Sequence, residues 1–378
     1  MKILVLNWQD IKNPLGGGAE VHLHEIFKRV AALGHSVTLY CSRFPGSPET
    51  EEIDGLRVIR QGGRFLFNFH VPVRYSAQFR KEDFDVVVDD INKIPFYTPL
   101  FVDKPLAGIV HHLFGKAIFL EAPFIPASYV YLAEKVAARI YKNTPMAVVS
   151  ESTRQELIDL GFPSGDMVIV PNAVNTKIYT PAGDEVRNKP LIGHLGRLKK
   201  YKSVDHLVRA FEIVLKDIPE ARLKIVGDGD FRPDLEKLAA ELGIADRVEF
   251  TGYLSQAEKV RQLHQMSVAV NCSAKEGWGL TVIEANACGV PVVASDVPGL
   301  RDSVVDEKTG LLYEYGNIEQ LAQKITLVLR DENLRTRMRA EALTWGRSFN
   351  WEDSAKMMIG FLERVIDEKR SRSLSSIK

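Results

Sequence analysis

Two hydrophobic rhythms alternate along this chain. Short, nearly unbroken apolar runs are bounded by Gly, Pro, Asn or Asp, and longer segments follow in which apolar residues recur every three or four positions. In the first half the runs "KILVL" (2–6), "VTLYCS" (37–42), "FDVVVDD" (84–90), "PLAGIVHH" (105–112) and "PMAVVSES" (145–152) predict strands. "AEVHLHEIFKRVAALGHS" predicts a helix with Val21, Ile26, Val30 and Leu33 on one face and Gly34 closing it. "EEIDGLRVIRQ" has the form of a hairpin turning at Asp54 and Gly55. "STRQELIDLG" predicts a helix capped by Ser152 or Thr153. Alternation of this kind implies a parallel sheet with helices on both faces.

The stretch "TPAGDEVRNKP" (180–190) breaks the pattern with Pro, Gly and charge, and the alternation then restarts. "LIGHLG", "RLKIVGDG", "RVEFTGY", "SVAVNCS", "PVVAS" and "GLLYE" predict the strands of a second sheet, and a final helix, "WEDSAKMMIGFLERVIDEK", follows them. The expected fold class is α/β, two doubly wound domains in tandem. Residues 1–183 form the first and 184–350 the second, and ligands gather where strands end at their carboxyl termini.

Bulk properties narrow the class. A chain of 378 residues exceeds one ordinary core, and 45% hydrophobic with 26% charged residues describes a globular protein. The formal net charge is zero, so nucleic acid is not an expected partner. Cys41, Cys272 and Cys288 are too few and scattered for a disulfide framework or a zinc site, and read as buried thiols in a reducing compartment. "MKILVLNWQD" reads as a first strand rather than a signal peptide, and no run of about 18 apolar residues suggests a membrane span. Charge is nonetheless uneven. From Arg60 to Lys81 five basic residues and no acid interleave with Phe65, Phe67, Phe69, Tyr75 and Phe79.

The chemistry concentrates in the second half. In "KEGWGLTVIEANACG" a loop carries Glu276 between a strand and a helix that carries Glu284. Gly277 and Gly279 let the backbone approach a ligand, and the helix start behind them offers unpaired N–H groups. The competing structural reading of Glu284 is a capping box, because Thr281 stands three residues before it; Glu276 could equally be a solvated loop acid. Upstream, "HLGRLKKYK" places Arg197 and Lys202 just after a strand. That pairing suits a diphosphate, against the plainer reading of an exposed basic loop. Asp228 and Asp230 have D-x-D spacing, but a turn and helix-capping role explains them better, and Asp89 with Asp90 reads as a strand end.

These pieces together resemble the family-4 retaining glycosyltransferases of the GT-B fold. The resemblance rests on Gly196, Arg197 and Lys202 followed about eighty residues later by "EGWGLTVIEA", and on "GGGAEVHLHEI", "AVVSESTRQEL", "VPNAVNTKIYTP" and "GVPVVASDVPGLRDSVVDEKTGLLY". It covers nearly the whole chain. It implies two Rossmann-like domains facing across a cleft, closure between them during catalysis, and a last helix, about 351–370, crossing back to the first domain. Arg197 and Lys202 would then hold the donor diphosphate and stabilise the leaving group. Glu276 would contact hydroxyls of the donor sugar, helped by backbone N–H groups of Gly277, Trp278 and Gly279, with Leu280 following in the motif. Glu284 would accept from the two ribose hydroxyls. Of the adjacent His111 and His112, His111 is the preferred active-site histidine. Gly17 and Gly18 would close over the phosphates or admit the acceptor. Ser203 and Ala173 depart from the family's usual glycines without removing a charged group.

The implied reaction is transfer of a hexosyl unit from a UDP- or GDP-sugar to an acceptor hydroxyl, with retention, no cofactor and no metal. It would serve cell-envelope polysaccharide, glycolipid or small glycoside synthesis. A GT-B sugar-nucleotide epimerase and a non-catalytic nucleotide-sugar binding module are the alternatives. A dinucleotide oxidoreductase is disfavoured, because "GGGAE" is not G-x-G-x-x-G. Segment 60–81 and "LFGKAIFLEAPFIPASYVYL" face either a lipid-linked acceptor, with peripheral contact at the inner face of the plasma membrane, or simply flank the acceptor site. A glycan, lipid-linked or small-molecule acceptor, a cytoplasmic location and an undetermined oligomeric state complete the expectation. The tail "KRSRSLSSIK" is expected to be disordered.

Overall fold

The computed structural model describes residues 1–64, 66–92, 94–182 and 189–375. Phe65, the centre of the expected 180–190 boundary and the last three tail residues therefore lie outside the described residues. The chain divides into two compact units. The first comprises 1–118, 123–172 and 351–378, and the second comprises 119–122 and 173–350.

The first unit is built on a sheet of β1 (Lys2–Leu6), β2 (Ser36–Ser42), β3 (Thr50–Ile53), β4 (Leu56–Gln61), β5 (Val86–Ile91), β6 (Leu106–Val110), β7 (Met146–Val148) and β8 (Met167–Ile169). Their order is β3-β4-β2-β1-β5-β6-β7-β8, parallel throughout except the β3–β4 hairpin. That hairpin turns on Asp54 and Gly55, both at positive φ (50° and 82°), as a two-residue loop between right-twisted strands requires. Central β1 is covered on both faces. Ile3, Leu4, Val5 and Leu6 are each fully buried, which is why the run is unbroken rather than alternating.

The second unit carries β9 (Leu191–Leu195), β10 (Arg222–Val226), β11 (Val248–Gly252), β12 (Val268–Asn271), β13 (Val292–Ser295) and β14 (Gly310–Tyr313), all parallel, in the order β11-β10-β9-β12-β13-β14. This is the 3-2-1-4-5-6 order of a doubly wound sheet, whose winding reverses between β9 and β12. Its core packs Ile192, Leu223, Ile225 and Val270 of the strands against Leu207, Phe211 and Val214 of helix Val204–Asp217 and Leu321 and Ile325 of helix Ile318–Arg330.

Two local expectations are corrected. The helix Glu151–Asp159 is capped by Ser150, whose Oγ accepts from the Thr153 N–H at 3.1 Å, rather than by Ser152 or Thr153. The strand ends at Val148, so Ser150 is already extended (φ −156°) where a cap must be. The closing helix runs from Trp351 to Ser375, so the described part of the tail is helical rather than disordered. Its apolar stripe, including Trp351, Met358, Leu362 and Val365, is buried.

Candidate active site

In the second unit the winding reversal brings two loops side by side, one leaving β9 and one leaving β12. Lys202 lies in the first, at the end of a short 3-10 turn, and Glu276 in the second; their Nζ and Oε1 atoms are 2.5 Å apart. The ion pair therefore spans the switch point, where ligands of such sheets bind. Glu276 also accepts from Ser273 Oγ at 2.9 Å, and Ser273 is itself fixed by its backbone N–H, which donates to Asn271 Oδ1 at 3.1 Å. Burial works against the Lys202 ammonium, but Glu276 outweighs it, and the pKa ends above the ordinary value. Arg197 acts in the opposite direction on the same group. Arg197 itself is exposed on the same loop.

Gly277, Trp278 and Gly279 are buried and Leu280 is half-buried. Trp278 packs edge-on against Phe349 at 5.1 Å, which anchors the loop through its side chain. Gly279 is the N-cap of helix Leu280–Ala287, with no side-chain cap. Thr281 thus sits inside the helix, and the capping-box reading of Thr281 with Glu284 does not hold.

Glu284 is 6% exposed and is held by partners that sequence spacing did not reveal. Tyr179 donates to Oε1 at 2.6 Å, and Lys259 Nζ lies 2.9 Å from both carboxylate oxygens. Burial, and then the facing carboxylate, push the Tyr179 phenol well up, so it stays a donor. Glu284 is thus neither a cap nor an isolated buried charge.

Two further residues of this unit escaped the sequence reading. His194, near the carboxyl end of β9, is buried. Its Nδ1 meets the Val270 carbonyl at 3.1 Å, while Nε2 has no hydrogen-bond partner among the described residues. Burial holds it at about 4, so it lies neutral beside the Lys202–Glu276 pair. Gly299 backs the Glu276 loop so closely that a β-carbon there would lie 2.3 Å from the Glu276 carbonyl oxygen. The signal available for both was slight, a histidine in an apolar strand and a Pro-Gly pair after β13.

The first unit repeats the arrangement. Its reversal falls between β1 and β5, and Glu20 bridges the two loops. Glu20 accepts from the Gly17 N–H at 2.6 Å and from Asn92 Nδ2 at 2.7 Å. Gly18 begins the helix Gly18–Ala32. His111 follows β6, is 5% exposed, and sets Nε2 2.9 Å from Asp90 Oδ1. Burial lowers it to about 4 against the opposing pull of Glu20, so the imidazole is neutral near pH 7. The Asp90 contact fixes the neutral tautomer with its proton on Nε2. The ring of His22 stands edge-on to His111 at 4.9 Å and is itself held at about 3 by burial and by His111. His112 is half-buried against Phe114. Asp90, expected to be only a strand end, thus orients the preferred histidine.

The structure therefore gathers Lys202, Glu276 and Arg197 on adjoining loops, places Glu284 in a separate triad, and sets Gly17, Gly18 and His111 on the first unit. Asp228 accepts from the Gly229 N–H and Asp230 pairs with Lys199, as turn residues do. Among the described residues, no group of three or more His, Cys, Asp or Glu side chains could hold a metal ion, and no helix is long and apolar enough to cross a membrane.

Known proteins resemble this chain in sequence and in fold. Residues 16–178 match the family described as Glycosyltransferase Family 4, and residues 177–345 match Glycosyl transferases group 1. The chain is 30% identical over 405 residues to a D-inositol 3-phosphate glycosyltransferase of Kineococcus radiotolerans, covering 93% of this chain and 92% of that one. It is 27% identical over 376 residues to a GDP-mannose-dependent alpha-(1-6)-phosphatidylinositol monomannoside mannosyltransferase of Mycobacterium tuberculosis, covering 92% and 95%. Sucrose-phosphate synthase from Thermosynechococcus elongatus shares the fold with a TM-score of 0.83 at 22% identity, covering 97% of this chain and 99% of that one. The chain belongs to the family-4 glycosyltransferases and has the GT-B fold.

Proposed function

We propose that this enzyme transfers a hexosyl unit from a UDP- or GDP-sugar to an acceptor hydroxyl, retaining the anomeric configuration and using no metal ion. The observation that carries the reading is the Lys202–Glu276 pair across the switch point of the second sheet. As the bond from the anomeric carbon to the phosphate oxygen breaks, negative charge collects on the departing nucleoside diphosphate. Lys202 and Arg197 are the cations assigned to receive it. The acceptor oxygen bonds to the same face of that carbon, and its proton passes to the leaving phosphate. Glu276, fixed by Lys202 and Ser273, is assigned to the sugar hydroxyls.

Glu284 is assigned to the ribose. A carboxylate has about four lone-pair sites, and Tyr179 and Lys259 already use most of them, so a ribose diol must share with or displace Lys259. His111 supplies an uncharged imidazole to the substrate. Three buried cysteines, none in a disulfide, fit a cytoplasmic setting. The names of two relatives direct the acceptor search to inositol-containing molecules, as phosphates or lipids.

Thermal-shift screening against UDP, GDP, ADP and their sugar conjugates, with and without EDTA, tests the donor reading. One nucleotide family should stabilise the protein equally in both conditions. NMR of the product formed from that donor should show the donor's anomeric configuration. Stabilisation by none, stabilisation only with divalent metal, or an inverted product would overturn the corresponding part.

A further inference from the structure

The helix Phe124–Ile140 packs the wrong way round for a core helix. It buries small residues, Ala127, Ala133, Ala137 and Ala138, and turns large apolar ones outward. Phe124 is 75% exposed, Ile125 81%, Tyr129 54%, Leu132 59% and Val136 46%. Positions 125, 129, 132 and 136 fall on one stripe of the helix, so the face is continuous rather than scattered. Its carboxyl end carries exposed Lys135 and Arg139, with exposed Lys142 just beyond and exposed Lys116 before the helix. The one acid of the helix, Glu134, points inward, where its two oxygens accept from the N–H groups of Phe114 and Gly115 at 2.7 and 2.9 Å.

We propose that this face docks on the surface of an anionic lipid bilayer, with the apolar stripe entering the headgroup–acyl boundary and the four cations meeting lipid phosphates. The helix, about 25 Å long and carrying charge, suits lying in the interface rather than spanning it. Charge decides against a second copy of the chain. A two-fold contact through this face would offer Lys135 and Arg139 no carboxylate, because Glu134 is turned inward, whereas anionic headgroups neutralise them. Docking would also reach the active site, because Glu134 ties the same helix to the loop that starts three residues after His111. The inference does not depend on which sugar is transferred.

Co-sedimentation of the full chain with vesicles of phosphatidylcholine alone, and of equal parts phosphatidylcholine and phosphatidylglycerol, tests it without any activity measurement. Binding should require phosphatidylglycerol and weaken with added salt. Ile125→Ser with Leu132→Ser should weaken it about tenfold or more, since partitioning scales with buried apolar area. Lys135→Glu with Arg139→Glu should weaken it by at least about fivefold per residue, while leaving the apolar face and the melting temperature unchanged. Absence of binding, equal binding to both vesicle types, or full binding by the charge-reversed variant overturns the proposal. A concentration-dependent dimer by light scattering that the Ile125→Ser, Leu132→Ser variant abolishes would overturn it in favour of self-association. Loss of transfer to a soluble acceptor by both variants, with vesicle binding intact, would assign the face to the acceptor.

Discussion

Gly299→Ala is expected to disable the enzyme from behind the site. Gly299 has φ +83°, and the added β-carbon would lie 2.3 Å from the Glu276 carbonyl oxygen and 2.7 Å from the carbonyl carbons of Glu276 and Gly277. To restore ordinary contact the Glu276 loop must retreat by about 1 Å. The positive φ costs an L-residue about 1–3 kcal/mol, and overpacking against backbone adds about 1–3 kcal/mol. Together these are about 2–6 kcal/mol. For a domain of this size that lowers the melting temperature of the second unit by roughly 4–24 °C. A shift of about 1 Å at a positioned catalytic group costs about 10²-fold in rate. The assay is differential scanning calorimetry together with turnover at saturating donor, measured well below the mutant's transition. Gly360→Ala is the control. A β-carbon there meets nothing within 4 Å inside the helix Trp351–Ser375, so it should stabilise by about 0.5–1 kcal/mol. An unchanged transition and unchanged turnover in Gly299→Ala would refute the claim that this glycine seats the Glu276 loop.

Lys202→Met should lower turnover by about 10²–10³-fold with a smaller effect on folding, read from steady-state kinetics; wild-type turnover would remove Lys202 from leaving-group stabilisation. Glu284→Ala should weaken nucleotide binding by roughly 1.5–3 kcal/mol in isothermal titration, and unchanged affinity would end the ribose assignment. Folded His22 and His111 sit at about 3 and about 4, below the ordinary 6.5, because burial disfavours their charge. The unfolded chain therefore takes up protons that the folded chain refuses. Their contribution is whole above pH 6.5 and is lost as pH falls from there toward the folded values, at about 1.4 kcal/mol per pH unit for each. The melting temperature should fall between pH 7 and pH 5, with a shallower slope in His22→Gln; identical slopes would contradict the buried-neutral assignment.

The alternating pattern located the strands because parallel strands buried on both faces leave uninterrupted apolar runs, as β1 does. Lys202 and Glu276 could be singled out because each follows a strand of the second sheet in a glycine-containing stretch, and the structure brings the two together. What stayed hidden were partners distant in sequence. Tyr179 reaches Glu284 across 105 positions, Asp90 reaches His111 across 21, and Glu20 meets Asn92 across 72. Spacing rules describe neighbours on one element, and such contacts arise only when separate elements pack. Periodicity also fails for helix Phe124–Ile140, because the residues that look like a core face are the ones turned outward.

The first unit is assembled from segments at both ends of the chain. His22, edge-on to His111, has Trp351 as a ring neighbour at 6.0 Å, and Ser354 Oγ donates to the Pro171 carbonyl at 2.9 Å. A ribosome making this protein must therefore pass Trp351 before the portion made first can close. Until then its unclothed surface is left to chaperones, and a stop codon ahead of Trp351 would release a chain whose defect lies at the opposite terminus from the mutation.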